Sequence, residues 1–160
     1  MNTDHKTESS QKLGYRKSVV GVFTNEHNQV LALERTDTPQ AWQFPQGGIE
    51  DGESACDALL REMEEELGNK HITYSKQSKR AVSYDFPDKF HAPIAQHFSG
   101  QSSWWFLCQF TQGGPDLANA KHKEFQKYIW LAPELVIERT VFWKKNAYRE
   151  GLTLLGFTLG

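Results

Sequence analysis

Cysteine is scarce in this chain of 160 residues: Cys56 and Cys108 are the only two. One pair cannot build the disulfide framework of a small secreted domain, and no Cys–His spacing suited to zinc occurs. Both cysteines stand in apolar contexts and are expected to be small buried hydrophobes. An excess of charge of one sign is also missing. Against 20 Asp and Glu stand 18 Lys and Arg, for a net charge of −2. That balance excludes a general nucleic-acid coat, which would be strongly basic, and leaves room for one nucleic-acid end in a local basic site. Long apolar runs are absent. The C-terminal LTLLGFTLG is too short to span a bilayer, and MNTDHKTESSQKLG at the start has no signal-peptide apolar stretch. The expectation is a cytoplasmic protein with no membrane partner. Internal repeats and low-complexity segments are lacking too. The six histidines are scattered and are read as surface or hydrogen-bonded residues.

What is present suits an ordinary globular protein, 38% hydrophobic and 24% charged, long enough for one domain with a true core. Residues 1–13 are polar and expected to be a flexible tail; residues 14–160 form the domain. Ser18 to Phe23 and Gln29 to Glu34 are β-branched or alternating runs around turn residues, which predicts a hairpin. Trp42 to Phe44, Ile72 to Ser78, Ala81 to Tyr84, Ser103 to Phe110 and Lys127 to Leu131 predict further strands. Phe86 to Ser103 reads as a long loop, which is usually functional. Pro133 to Arg139 predicts a short helix, and a last helix is expected from near Val141. Strands on either side of a central helix, with a terminal helix, imply a mixed β-sheet between helices.

The central helix lies within Gly47 to Asn69, GGIEDGESACDALLREMEEELGN. Gly47, Gly48 and Gly52 mark a backbone that turns tightly or comes close to a ligand. Ser54 is expected to cap the helix, Asp57 to complete a capping box, and Gly68 to end it. Cys56, Leu59, Leu60, Met63 and Leu67 recur at helical spacing as a core-facing stripe. Glu62, Glu65 and Glu66 stand three and four residues apart on another face, where like charges repel, and Glu64 adds to them. A solvated acidic face would account for these glutamates alone. A divalent cation would offset their repulsion. Mg²⁺ suits the task because it takes oxygen ligands, keeps several waters and is shared between carboxylates and substrate phosphates.

The whole stretch resembles the Nudix box: glycine, five residues, glutamate, seven residues, then Arg-Glu-aliphatic-any-Glu-Glu-any-Gly-aliphatic. Gly47, Glu53, Arg61, Glu62, Met63, Glu65, Glu66 and Gly68 fill those positions. Asn69 departs from the last one, where an aliphatic side chain normally packs under the loop. The resemblance implies an α/β fold of α+β type, the Nudix α/β/α sandwich with a mixed β-sheet. It implies an enzyme that cleaves a diphosphate linkage attached to another group. It implies Mg²⁺, or Mn²⁺ or another divalent cation, held by Glu62, Glu65, Glu66 and the Gly47 carbonyl. Arg61 would pair with Glu53 and brace loop against helix.

Other segments narrow the resemblance. Gly14-Tyr-Arg16 and Trp42 to Ile49 are similar to the bacterial RNA 5′-pyrophosphohydrolases. So are Tyr84-Asp-Phe-Pro87, Trp105-Phe-Leu107, Glu124-Phe125 and Val141 to Arg149. The implied substrate is the 5′-triphosphate end of RNA, whose pyrophosphate is removed to initiate mRNA decay. The alternative is a diadenosine polyphosphate or free nucleoside triphosphate, since those hydrolases share a similar stretch before the box. A binding module without catalysis is disfavoured, because such modules tend to lose the box glutamates. Glu124 reads alone as an exposed loop residue; it matches a family glutamate that serves as metal ligand or general base. Positions matching Arg16, Val141 and Trp143 line a base pocket in that family, and those matching Arg35 and Lys144 contact phosphates or backbone. Trp143 stands where phenylalanine is usual, so stacking is kept with a larger ring. Oligomeric state is open, a homodimer included.

Overall fold

The structure, a computed structural model, describes residues 13–160. The expected tail lies outside the described residues apart from Leu13, whose carbonyl accepts a hydrogen bond from Ser99 Oγ at 2.8 Å. A five-stranded sheet forms the centre. It comprises β4 (Gln46–Gly48), β1 (Tyr15–Phe23), β7 (Gly100–Phe110), β5 (Ile72–Gln77) and β6 (Val82–Asp85). β1 and β7 run parallel and the other pairs antiparallel, so the sheet is mixed, as expected. A second, antiparallel sheet joins β3 (Trp42–Gln43), β2 (Val30–Arg35) and β8 (Phe125–Leu131). Helix α1 (Ala55–Leu67) covers one face, and α2 (Pro133–Arg139) with α3 (Lys145–Leu154) covers the other.

The sequence builds this sandwich through strands that are apolar on both faces. In β1, Val19 and Phe23 pack with Leu59, Met63 and Leu67 of α1, while Val20 and Val22 join the cluster of Val136, Tyr148 and Leu152. β7 repeats the division: Phe106 and Cys108 face the α1 cluster, and Trp105 faces α3. Burying each such side chain contributes about 1.5–3 kcal/mol.

The hairpin expected between residues 18–23 and 29–34 does not form as a ladder. Its turn is present, with Asn25 Oδ1 accepting from the His27 and Gln29 amides at 2.9 and 3.0 Å. Beyond one bridge, Thr24 to Val30, β2 leaves for the second sheet. Both edges of β1 are already taken by β4 and β7. The loop expected to reach Ser103 ends sooner, because β7 begins at Gly100 between β1 and β6. Buried Ser18 and Ser103 bond to each other there at 2.5 Å, which hides the strand from a hydropathy pattern. A 3₁₀ turn at Phe142–Lys144 precedes α3, so the last helix starts at Lys145 rather than near Val141.

Two members of the helical stripe also differ from expectation. Leu60 is 41% exposed, because Ala58 and Glu66 complete the buried side of α1 instead. Cys108 is buried, but Cys56 is only half-buried and accepts from the Tyr74 hydroxyl at 2.9 Å. No helix among the described residues is long and apolar enough to cross a membrane.

Candidate active site

The loop from β4 into α1 is fixed before any ligand is considered. Ser54 caps the helix, its Oγ accepting from the Asp57 amide at 3.1 Å. Gly68 ends it in the left-handed region, φ 71°, with its N–H donated to Glu64 at 2.9 Å. Arg61 ties the two ends of the unit together. Its Nε and Nη2 donate to both Glu53 oxygens at 2.8 and 2.9 Å, and Nη2 also donates to the Gly48 carbonyl at 2.9 Å. Its Nη1 reaches Glu62 at 3.0 Å and Glu65 at 3.2 Å. Bidentate pairing of this kind is directional as well as attractive. It holds the Glu53 carboxyl down to a pKa of about 2. A Cβ at Gly47 would overlap the Glu62 carboxylate, so only glycine admits this approach. Asn69 replaces aliphatic packing with hydrogen bonds: Nδ2 donates to Gln112 and Gly114 carbonyls at 2.9 and 3.0 Å, and Oδ1 accepts from the His71 amide at 2.8 Å.

A cleft of about 510 Å³ opens over this unit. Its wall holds Gly47, Glu62, Glu66 and Glu124 together with Arg16, Arg35, Val141, Trp143 and Lys144. Glu65, expected with them, is not on that wall. Its carboxylate lies against Arg61, Lys121 at 3.5 Å and His122 at 3.4 Å, and its backbone carbonyl accepts from the Lys121 and His122 amides. Residues 116–122 thus close over the end of α1 and carry the chain on to Glu124, whose carbonyl is bonded to the Thr36 amide at 2.9 Å.

The acidic end of the cleft fits a hard cation. Glu66 is buried, and its Oε1 has no hydrogen-bond partner. Burial, and then the charges of Glu124 and Glu62, hold its pKa well above the usual carboxylate range. Glu62 is raised too, mainly by burial, although Arg61 opposes the shift. A buried carboxylate oxygen without a partner is costly, and oxygen-only donors suit Mg²⁺, Mn²⁺ or Ca²⁺ over softer metals. Among the described residues no three His, Cys, Asp or Glu side chains converge closely enough to hold a metal ion by themselves. Mg²⁺ needs none, since it is commonly held by one or two carboxylates and substrate phosphates.

The other end is basic and aromatic. Lys144 Nζ sits 5.8 Å from the Tyr84 ring centroid, and burial, then the Arg35 charge, push its pKa down to about 8. Arg35 is held side-on by Asp37 through bonds of 2.7 and 2.9 Å. Trp143 meets Phe90 edge-on, with centroids 5.4 Å apart. Several wall residues were not anticipated. Tyr84 and Gln101 stand in register with Arg16 across β6, β7 and β1. Phe90 comes from the irregular segment after β6, and Asp37 from the polar loop after β2. Tyr84 had a signal as part of the Tyr-Asp-Phe-Pro segment, and Phe90 and Gln101 lie within the long loop expected to be functional; Asp37 had none and is held by its local pair with Arg35.

Comparison with known proteins agrees with this fold. The NUDIX domain family matches residues 14–151. An RNA pyrophosphohydrolase of Rhodospirillum rubrum is 33% identical over 154 residues, covering 94% of this chain and 93% of the relative. An RNA pyrophosphohydrolase of Campylobacter jejuni subsp. doylei is 36% identical over 138 residues, covering 84% of this chain and 88% of the relative. Among solved structures, the MutT protein from Methanosarcina mazei Go1 superposes with a TM-score of 0.67 at 16% identity, covering 91% of this chain and 99% of its own. The box geometry, the sandwich around it and the match along the chain lead to one conclusion: this protein belongs to the Nudix family.

Proposed function

We propose that this protein is a Mg²⁺-dependent RNA pyrophosphohydrolase of the cytoplasm. It removes pyrophosphate from the 5′-triphosphate end of RNA, leaves a 5′-monophosphate, and so initiates mRNA decay. The supporting observation is one cleft that joins a partnerless buried carboxylate oxygen, on Glu66, to a basic and aromatic end. The identity with bacterial RNA pyrophosphohydrolases favours RNA over a small nucleotide.

Glu62, Glu66, Glu124 and the Gly47 carbonyl would hold the ion, and Glu65 would contribute only on release from Lys121 and His122. A divalent cation there supplies neutralisation of phosphate charge and lowers the pKa of water. The chain's own residues do the rest. Arg35 and Lys144 bind phosphate oxygens, and Arg16 lines the base pocket with Val141 and Trp143; Asp37 fixes the direction in which Arg35 presents its remaining N–H groups. Trp143, with Val141 beside it, offers a face to the 5′ base. Glu124 accepts the proton of the attacking water at a carboxylate oxygen, as a general base. Arg61 keeps Glu62 directed along the wall and holds the loop that carries Gly47. Positioning of this kind accounts for much of the rate of phosphoryl chemistry.

The test is a competition. 5′-triphosphate RNA and a diadenosine polyphosphate are supplied together at one Mg²⁺ concentration, and both products are quantified. Preferential consumption of RNA is expected. Preferential consumption of the dinucleotide would assign the protein to diadenosine polyphosphate hydrolysis instead.

A further inference from the structure

The aromatic side chains at the basic end of the cleft do not stop at its rim. Ring centroids succeed one another at 6.1 Å (Tyr84–Phe86), 5.2 Å (Phe86–Phe90), 5.4 Å (Phe90–Trp143) and 5.2 Å (Trp143–Phe142). The first four rings line the cleft; Phe142 does not, and it is 72% exposed. The next most exposed large hydrophobic side chain among the described residues is Tyr128, at 44%. A lone exposed apolar residue is ordinary. Phe142 differs because its two chain neighbours, Val141 and Trp143, are both cleft-wall residues.

Its backbone is well fixed. The 3₁₀ turn is closed by Lys144 N–H to the Val141 carbonyl at 3.1 Å. Lys145 Nζ then donates to the Ile137 and Glu138 carbonyls at 2.9 and 2.5 Å, tying the turn to the end of α2. The chain around it carries Arg139, Lys144, Lys145 and Arg149 between Glu138 and Glu150; Arg139 and Arg149 are exposed, while Lys144 lines the cleft and Lys145 is bound to the end of α2. Exposed rings beside cations are the means by which single-stranded nucleic acid is held without regard to sequence.

We propose that Phe142 is a stacking platform for an RNA base downstream of the one in the cleft, a second base subsite that favours a polynucleotide over a free nucleotide. This rests on the RNA reading above. The Phe142 and Trp143 rings stand at 88° to each other, so one continuous stack cannot cover both. The strand turns at the rim, and the second base meets Phe142 by its face. A face contact tolerates every base, so the subsite senses chain length and not sequence.

The test is a length series. Pyrophosphate release is measured for 5′-triphosphate RNAs of one to six nucleotides with wild type, Phe142→Ala and Phe142→Trp, alongside melting temperatures. Phe142→Ala should lose about 5- to 160-fold in kcat/KM on the longer RNAs and nothing on the shortest, with unchanged melting temperature. Phe142→Trp should restore the length effect. An equal loss at every length, or no loss on the longest RNA, overturns the platform. A wild type that cleaves diadenosine polyphosphates and leaves every triphosphate RNA intact overturns the RNA reading first, and the platform with it. A wild type active on RNA with an indifferent Phe142→Ala overturns the platform alone.

Discussion

Glu66 is the residue on which the site turns. One of its oxygens is buried without a partner, and its neighbours Glu62 and Glu124 are carboxylates as well. Glu66→Gln preserves shape and removes charge. Activity should fall at least about 100-fold, or about 2.7 kcal/mol of transition-state stabilisation, and Glu62→Gln should do the same. Stability should move the other way. Burial raises the Glu66 pKa, so the folded state favours its protonated form; that contribution is present at acidic pH and lost as pH rises past the folded pKa. Glutamine mimics the protonated form, so Glu66→Gln should melt higher than wild type at neutral pH in EDTA; a lower melting temperature would contradict this. Lys144 gives a second pH effect. Its pKa is pushed down to about 8, so its charge is lost as pH rises through that value. The KM for a triphosphate substrate should climb above pH 8 in wild type and stay flat in Lys144→Arg, whose guanidinium remains charged. Glu62 and Glu66 were legible through the whole box pattern; their spacing alone was equally that of a solvated acidic face. The placement of Glu65 was not legible, because the Lys121 and His122 that cover it lie over fifty residues further on.

Among the elements, the β4–α1 loop and helix act as one piece through Arg61. Its guanidinium serves Glu53, Glu62, Glu65 and the Gly48 carbonyl at once. Arg61→Ala should therefore loosen the Gly47 strand as well as free Glu62. Mg²⁺ affinity, read from thermal-shift titration, and turnover should fall together. Unchanged Mg²⁺ dependence would show that the brace does not position the ion's ligands. This unit was legible because its signals are local: a cap residue, a left-handed glycine, and charges at helical spacing. The partner of β2 was not. Residues 18–34 contain a true turn signal, yet a turn does not choose which strand edge is free, and β4 and β7 claim both edges of β1. Asn69 taught a similar lesson, since the loop it supports is held by its amide in place of an aliphatic side chain.

For the whole molecule, the two-faced core and the mixed sheet follow from strands that are apolar on both sides, and these were readable in the chain. The assembly of the cleft was not, because its wall draws on β1, β2, β4, α1, β6, β8's preceding loop and the turn before α3. Near-zero net charge conceals a cleft with an acidic end and a basic end. The measurement that bears most directly on the whole account is product analysis with 5′-triphosphate RNA and Mg²⁺, for wild type and Glu66→Gln. Wild type should release one pyrophosphate per RNA and leave a 5′-monophosphate, EDTA should abolish the reaction, and Glu66→Gln should be at least about 100-fold slower. An intact triphosphate end with wild type, or equal rates for the two proteins, would contradict it.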